Sequence, residues 1–406
     1  MQIFAVFVML AILSVLIIVH ECGHFFVARF FGFQTPVFGF GLPFGPSWTV
    51  GKKWGTEFRI HACLLGGYVA IPELGDESNA SPDAFGVPLA PFKKFPIWQR
   101  ALVAFAGVGM NMIFAYLVTL FMFFNLGQPS TITSVDFLPA ANPIAANAGV
   151  KVGDEIVGID GHKVFGSDDC VDYLGEHKNT KVTLNIVRDK KPMDLTMTTN
   201  ENGKVGMGLG GKPPVIYKKM TGNFFDTCGQ SFKWLAKMTK MMVDGLGQMF
   251  QGIVSGGKGG APGAPKVGLQ DLHGVFAVIK IGADIAQQDW TQLFMFTIMI
   301  SMDLALVNLV PWPALDGGHL AFMTFEAVRG RPMGERAQGE IVKWGFAGLM
   351  VLMVFIMFND ITAMMSGKLD SKKPQAEEKD NKDSKDSKDS KDAKSSAPSE
   401  VQMPAR

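Results

Sequence analysis

The sequence has almost no net charge, and its first nineteen residues contain neither Lys nor Arg. It has 38 basic and 37 acidic residues, which leaves a formal net charge of +1 over 406 residues. No basic patch with interleaved aromatic residues occurs, so nucleic acid is not expected as a partner. A secretory signal peptide requires a basic n-region and a small-residue cleavage site. We therefore expect the apolar N-terminus to be a retained transmembrane helix.

Apolar residues are abundant. The hydrophobic content is 48%, with 33 Phe and 24 Met, which is unusual for a soluble chain. Residues Ile3 to Val19 carry no charge, and the helical pattern continues to Phe33, longer than the ~20 residues that a span requires. Three further predicted spans each contain few charges: Ile97–Leu126 with Arg100, Leu293–Val310 with Asp303 and Asn308, and Val342–Phe358 with Lys343. The chain is predicted to be a polytopic α-helical membrane protein with four spans, in two pairs separated by a more polar segment.

The first span contains the motif His20-Glu21-Cys22-Gly23-His24. Helical positions four apart share a face, so His20 and His24 can direct imidazole nitrogens to one tetrahedral Zn²⁺. Glu21 lies about 100° round the helix from His20, close enough to orient a water molecule and take its proton. Cys22 points away and is a poor ligand candidate. Since ionisable side chains at membrane depth are costly, they indicate a functional site.

A third protein ligand is predicted near the end of the third span. Pro311 and Pro313 must break the helix there, and Asp316 follows them. A broken helix at membrane depth is tolerated only where its backbone is buried in protein or lines a wet cavity. A His₂Asp set leaves the fourth zinc position open for water, as in catalytic sites. Two alternatives remain open: Asp316 as a helix N-cap, and His319 as the ligand, although His319 is rather expected to hydrogen-bond behind the ligands.

The central polar segment contains a run, residues 139–164, that resembles the middle of a bacterial PDZ domain. Its Ala-rich turns predict a short helix, and Gly153-Asp154 leads into an alternating strand at residues 156–159. Asp160-Gly161 then closes a hairpin into Val164. Further predicted elements are a helix over Asp168–Glu176 and strands over Lys181–Val187, Asp194–Thr198 and Val205–Leu209. PDZ domains bind extended peptides by strand addition, and a β domain with only a scaffold role is the alternative.

Three further segments follow this domain. Residues Asn223–Ile253 form an amphipathic pattern rich in Met and aromatic residues, typical of packing or of contact with a membrane surface. Residues Ser255–Gly268 predict a loop, and Leu272–Ala286 a short helix. The Lys-Asp-Ser repeats of Lys368–Arg406 contain too few apolar residues to fold, so a solvated, disordered tail is expected.

The motifs together resemble the site-2 proteases, in the bacterial branch that includes the regulator of sigma-E protease. That family has H-E-x-x-H in its first span and N-x-x-P-x-P-x-L-D-G in its third core span, which correspond to His20–His24 and Asn308–Gly317. Residues 64–69 resemble its membrane-associated Gly-Gly-Tyr-Val loop. Gly107–Asn111 resembles its Gly-x-x-x-Asn motif, with Val108 where many relatives have Pro. The resemblance covers about residues 1–362 of the sequence.

This resemblance implies an intramembrane zinc metalloprotease, with Glu21 as the catalytic base and Zn²⁺ bound by His20, His24 and Asp316. The substrate-binding residues that it implies are Asn308, Gly66, Gly67, Tyr68 and Val69. The implied partners are the lipid bilayer and single-pass membrane proteins already trimmed outside the membrane, such as anti-sigma factors or remnant signal peptides. The spacing leaves room for a single PDZ domain, which is expected to screen those substrates.

The positive charges predict the orientation in the membrane. They cluster between or beside spans one and two, and again between or beside spans three and four: Arg29, Lys52, Lys53, Arg59, Lys93, Lys94 and Arg100, then Arg329, Arg331, Arg336 and Lys343. By the positive-inside rule both loops are cytoplasmic, which leaves the N-terminus, the PDZ domain and the C-terminal tail outside a bacterial cytoplasmic membrane. Cys170 and Cys228 then share the oxidising side, and the sequence does not decide whether they pair.

The predicted organisation has five parts. These are a first membrane part with a β loop near 56–72 (1–127), an extracytoplasmic α+β PDZ domain (128–212), amphipathic and linker helices (213–290), a second membrane part (291–362) and the tail (363–406). An alternative function is a zinc-binding scaffold or a PDZ-bearing adaptor, for which Glu21 would have no use. A transporter is disfavoured because the chain has no repeated halves.

Overall fold

The structure, a computed structural model, describes residues 2–41, 45–62, 66–71, 95–139, 142–220, 222–254 and 274–365. Its helices are α1 (Gln2–Phe31), α2 (Ile97–Asn125), α3 (Ile144–Asn147), α4 (Gly166–Glu176), α5 (Phe224–Val254), α6 (Val275–Gln288), α7 (Gln292–Asn308), α8 (Asp316–Arg329) and α9 (Glu335–Met365). Its strands are β1 (Val37–Phe40), β2 (Ser47–Lys53), β3 (Thr56–His61), β4 (Gly67–Val69), β5 (Gln128–Phe137), β6 (Glu155–Ile159), β7 (His162–Lys163), β8 (Lys181–Arg188), β9 (Lys191–Thr198) and β10 (Gly208–Lys218). The predicted loop at 255–268 and the tail from Lys368 lie outside the described residues.

Three of the described helices are long and apolar enough to cross a membrane by length and composition. They are Ile3–Phe31, Ile97–Asn125 and Arg336–Thr362, within α1, α2 and α9. The predicted third span corresponds to α7, which is apolar but has only 17 residues. A 17-residue helix is about 26 Å long, slightly less than the ~30 Å hydrocarbon core of a bilayer. The described helices therefore include three that are long and apolar enough to cross a membrane and one shorter apolar helix.

Helix α2 is the centre of the helical part. Val103 and Ala104 near its start pack in a buried cluster with Ala28 of α1 and Met323 of α8. Its later residues pack with α5 and α7, where Met122 contacts a cluster that includes Met302. Helix α6 packs against the start of α1 and against α7. Because α2 contacts α1, α7 and α8, it joins the elements that carry the predicted site residues.

A four-stranded sheet follows α1, in the strand order β2-β3-β1-β4. Strand β1 pairs in parallel with β3 and antiparallel with β4, so β4 lies at one edge. This edge strand packs against α1. The sequence pattern predicted a β loop near 56–72 only, whereas the sheet begins at Val37. Strands β1 and β2 were missed because they are short or alternate poorly between apolar and polar residues.

A second sheet, in the order β10-β5-β6-β8-β9 with β7 paired to β6, forms an α/β unit between α2 and α5. Several sequence-predicted elements are confirmed, namely the short helix α3, strand β6, the hairpin into β7, helix α4 and strands β8 and β9. The last strand is displaced from the predicted Val205–Leu209: β10 begins at Gly208 and continues to Lys218. It pairs there with β5, which was not predicted as a strand. Gln128 and Lys218 pair at the base of this ribbon. The chain therefore enters and leaves the α/β unit through neighbouring residues of this ribbon.

One ion pair links the start of β6 to the end of the neighbouring strand β8. Asp154 is 2% exposed, and Arg188 donates to both of its carboxylate oxygens at 2.7 and 2.6 Å. Burial acts to raise the pKa of Asp154, but the guanidinium and the Lys151 backbone N–H outweigh it and hold that pKa below its usual value. The unit has its own apolar core, which includes Ile156, Leu184 and other buried residues. Cys170 in α4 and Cys228 in α5 are both free thiols.

Candidate metal centre

Helix α1 presents His20 and His24 on one face, one helical turn apart, as the motif predicts. Both side chains are buried, with 7% and 8% of their surface exposed. Their Nε2 atoms lie 3.3 Å apart. Residues 3–19 of α1 carry no charge, and among the described side chains of this helix His20 and His24 are the buried polar ones. Two imidazole nitrogens this close, and facing the same point, form two corners of a possible metal site.

Asp316 is brought to the same point by a break in the chain. Helix α7 ends at Asn308, and Pro311 and Pro313 prevent its continuation. Asp316 begins α8 directly after Leu315, which has extended backbone. The indole N–H of Trp312 donates to the carbonyl of Gly345 at 2.9 Å and ties the connecting segment to α9. Asp316 lies in the first turn of α8, and its side chain also faces the two histidines.

The three ligand atoms form a nearly equilateral triangle. Oδ2 of Asp316 lies 3.1 Å from Nε2 of His20 and 3.3 Å from Nε2 of His24. Ligands about 2.0–2.1 Å from a tetrahedral zinc ion are about 3.3–3.4 Å from one another, so the triangle has the size that zinc requires. Oδ2 of Asp316 is buried yet accepts no hydrogen bond of good geometry from any described residue. An unsatisfied buried carboxylate oxygen between two imidazoles fits a bound cation.

Among the described residues, one group could hold a metal ion, and it consists of His20, His24 and Asp316. His319 lies one turn further along α8 and is not part of it, and Cys22 is not part of it either. Three protein ligands leave one position of a tetrahedral site open, which is the arrangement of catalytic zinc.

Helix α2 forms the wall behind both histidines through residues spaced four apart. The backbone carbonyl of Val103 is 2.8 Å from Nδ1 of His24. The side-chain amide of Asn111 is 3.2 Å from Nδ1 of His20. Between them, a Cβ on Gly107 would lie 2.3 Å from Nε2 of His24, so only glycine fits at this position. The contacts of Val103 and Asn111 orient the two rings from the side away from Asp316.

Glu21 faces the edge strand of the first sheet. Its carboxylate faces the backbone N–H of Val69 in β4. A Cβ on Gly67 would lie 3.2 Å from Cγ of Glu21, so the strand backbone lies directly against this side chain. Gly66 accepts a backbone hydrogen bond from Gly41 at 2.9 Å, at the other edge of the strand. The predicted loop and the predicted base are therefore neighbours.

Two further predicted site residues have different surroundings. Asn308 ends α7, and its Nδ2 lies 3.4 Å from Nε2 of His20, beside the metal triangle. The hydroxyl of Tyr68 lies 3.2 Å from Nε2 of His61, and its ring covers Gly39 of β1. Tyr68 therefore supports the sheet from the side, whereas Asn308 borders the site.

Sequence reasoning missed two supports of the site. The carbonyl of Val103 could not be found, since a backbone group has no signature in the sequence. The second support is the ion pair between Arg100 of α2 and Glu326 of α8, 2.7 Å long, with Arg100 only 3% exposed. A single charge in an apolar helix signals that a partner exists, although it does not identify that partner.

Comparisons with known proteins find relatives over most of the chain. The sequence profile of peptidase family M50 matches residues 8–352. A Nostoc protein named as a zinc metalloprotease is 31% identical over 368 residues, which cover 87% of this chain and 95% of the relative. An Agrobacterium fabrum protein with the same description is 31% identical over 374 residues, 87% of this chain and 94% of the relative. An Arabidopsis thaliana protein named as a chloroplastic membrane metalloprotease is 29% identical over 364 residues, 86% of this chain and 78% of the relative.

Proposed function

The chain belongs to peptidase family M50, the site-2 protease family, and is a membrane zinc metalloprotease; from this premise we propose that it cleaves peptide bonds within or beside the membrane-spanning segments of single-pass proteins. The observation that carries the proposal is the buried triangle of His20, His24 and Asp316, with Glu21 next to it on α1. Its ligand atoms have the spacing of a tetrahedral zinc site and leave one position open. Hydrolysis needs that open position, and a closed structural zinc site lacks it.

In the proposed mechanism His20, His24 and Asp316 would hold the zinc ion. When bound, zinc polarises the scissile carbonyl and favours ionisation of the attacking water. Glu21 takes the proton of that water and transfers it to the nitrogen of the leaving amine. The carbonyl of Val103 keeps the proton of His24 on Nδ1, so its Nε2 lone pair is available as a ligand. Asn308, beside His20, is placed to donate a hydrogen bond to the substrate backbone.

The test separates metal binding from proton transfer. Glu21→Gln is expected to abolish cleavage of a single-pass reporter in reconstituted membranes while the purified protein keeps its zinc. His20→Ala and Asp316→Ala are each expected to lower the zinc content. Cys22→Ser is the matched control, since Cys22 lies between the histidines but outside the triangle. Full cleavage by Glu21→Gln would exclude this mechanism, and an unchanged zinc content would remove the substituted residue from the ligand set.

From the resemblance to other site-2 proteases, we further propose which proteins are the natural substrates. They are anti-sigma factors or remnant signal peptides whose outer domains have already been removed. Fragments of endogenous single-pass proteins in membranes with wild-type protein or Glu21→Gln would identify them. Identical fragment patterns in the two membranes would favour the adaptor alternative.

We also propose that α1, α2, α7 and α9 all cross a bacterial cytoplasmic membrane, with the α/β unit and the C-terminal tail outside. The short α7 is included because it runs from Thr291, which bonds Tyr217 of the α/β unit, to Asn308 beside the metal triangle. The basic residues near Arg59 and Arg331 support the orientation. The order of elements in residues 128–218 supports a single PDZ domain. Labelling of single cysteines introduced at exposed positions would reveal a different orientation.

A further inference from the structure

The two metal-facing histidines are oriented by chemically different partners. The partner of His24 is the backbone carbonyl of Val103, which can only accept, so the ring proton of His24 stays on Nδ1. The partner of His20 is the side-chain amide of Asn111. An amide offers an NH₂ donor or a carbonyl acceptor to the same point after a half-turn about its Cβ–Cγ bond. His20 can therefore exist in two ring tautomers, whereas His24 is restricted to one.

The contacts of Asn111 define the tautomer of His20 that fits the amide orientation in the structure. Its Nδ2 is the atom that faces Nδ1 of His20, at 3.2 Å. A neutral His20 that accepts this hydrogen bond carries its proton on Nε2, the nitrogen nearest Asp316. Oδ1 of Asn111 is fully buried and has no hydrogen-bond partner among the described residues. A buried acceptor without a donor is unfavourable, so this orientation of the amide leaves one buried oxygen without a hydrogen bond.

We propose that Asn111 is a positioning residue for zinc, and that its amide turns over when the metal binds. After the turn, Oδ1 of Asn111 accepts the Nδ1–H of His20, and Nε2 of His20 is left with a free lone pair. The turn pairs the buried oxygen with His20, carries Nδ2 to the position that the oxygen leaves, and frees the ligand lone pair in the same step. This inference rests on the proposed ligand set of His20, His24 and Asp316.

Substitutions at Asn111 test the role of its acceptor. Asn111→Leu has a similar volume but offers no acceptor, and it is expected to weaken zinc binding by about 10–100-fold. Asn111→Asp offers an acceptor and is expected to bind zinc within about threefold of the wild type, well short of the roughly 10–100-fold loss that removal of such a partner produces. The measurement is competition for zinc with a chelator of known affinity, on purified full-length protein in detergent.

The matched control is Thr119→Val, which removes another fully buried polar group of α2, bonded at 2.7 Å to the carbonyl of Ala115. It is expected to leave zinc affinity unchanged. Wild-type affinity in Asn111→Leu, or an equal loss in Asn111→Asp and Asn111→Leu, would overturn the proposal. His20→Ala separates failure of the proposed ligand set from failure of the proposed role of Asn111. If His20→Ala keeps full zinc, the ligand set is wrong. If His20→Ala loses zinc while Asn111→Leu keeps it, the role of Asn111 is wrong.

A second measurement needs no variant at position 111. Nitrogen-15 NMR of histidine-labelled protein distinguishes a proton on Nδ1 from one on Nε2, and the signals of His20 are assigned by their absence in His20→Gln. The expected result is a proton on Nε2 without metal and on Nδ1 with zinc bound. A proton on Nδ1 of His20 in the metal-free protein would show that no turn of Asn111 occurs.

Discussion

Arg100 illustrates how one residue far from the chemistry supports the metal centre. It is the only charged residue in α2, and it reaches α8, the helix that begins with Asp316. Its partner Glu326 is 15% exposed, so the pair is largely removed from water. Breaking a buried pair is costly because the remaining charge stays buried without compensation. The pair therefore holds α8, and with it Asp316, against α2.

We predict that Arg100→Met destabilises the protein by about 3–5 kcal/mol, because Glu326 loses its cation. Thermal unfolding in detergent, followed together with the rate of zinc loss, measures the effect. The double variant Arg100→Met/Glu326→Met is expected to recover most of the stability.

The control for this prediction is Arg59→Met, which breaks the more exposed pair with Glu57 on the first sheet. A change of at most about 1 kcal/mol is expected there. If Arg100→Met unfolds no more easily than Arg59→Met, the ion pair between α2 and α8 contributes no more to stability than the exposed pair does.

At the level of elements, the short edge strand β4 lies closest to the proposed chemistry. Ala70 donates to Val37 and Gly66 accepts from Gly41, both at 2.9 Å, so these alternate residues pair toward β1. In an antiparallel strand the intervening residues direct their backbone groups to the other edge. Those residues are Gly67 and Val69, and that edge faces Glu21. A substrate paired there as an added strand would lie beside the proposed base.

Strand addition requires an extended substrate, whereas a membrane-spanning segment is helical because its backbone polar groups must be satisfied internally. We predict that Gly or Pro near the cleavage point of a single-pass reporter speeds cleavage, and that Leu at the same positions slows it. The measurement is the initial rate in reconstituted membranes.

The same Gly, Pro and Leu substitutions placed outside the membrane segment of the reporter serve as its control. They are expected to leave the initial rate unchanged. Equal rates for Gly and Leu variants inside the membrane would show that unwinding of the substrate does not limit the reaction.

At the level of the whole molecule, the α/β unit is attached to the membrane part through one two-stranded ribbon. Ser130 and Ile216 pair within that ribbon, and Tyr217 next to them donates to Thr291 at the start of α7. Lys237 of α5 bonds Asp168 of α4 at 2.5 Å, which adds a contact on the exposed surface. The unit has a separate core, so few interactions depend on its connection to the membrane helices.

We predict that replacing residues 130–216 with an Asn-Gly turn preserves zinc binding and cleavage of a trimmed reporter. An Asn-Gly pair closes a two-residue hairpin, so the base of the ribbon and Tyr217 are kept. If the unit screens substrates, the shortened protein also cleaves an untrimmed reporter, measured by immunoblot of membrane fractions.

Glu21→Gln in the shortened protein is the control, and it is expected to abolish both cleavages. An untrimmed reporter that stays intact while the trimmed one is cut would place the screening step outside residues 130–216.

Much of this protein follows from its sequence because the relevant signals are local. The pair His20 and His24 depends only on helical spacing, so the motif predicted two ligand corners before any tertiary contact was known. The break before Asp316 follows from Pro311 and Pro313. The hairpin at Asp160-Gly161 is equally local, and the structure confirms it with a positive φ at both residues.

Only the tertiary structure decided the contacts that join distant parts of the chain. Residue spacing does not state that Val103 and Asn111 face the two imidazoles, that Glu326 is the partner of Arg100, or that β1 and β2 extend the first sheet. Each depends on how α2 packs between α1 and α8, or on strand pairing across loops. Helix packing fixes such geometry to fractions of an ångström, and that precision allows three ligand atoms from two distant segments to meet at 3.1–3.3 Å.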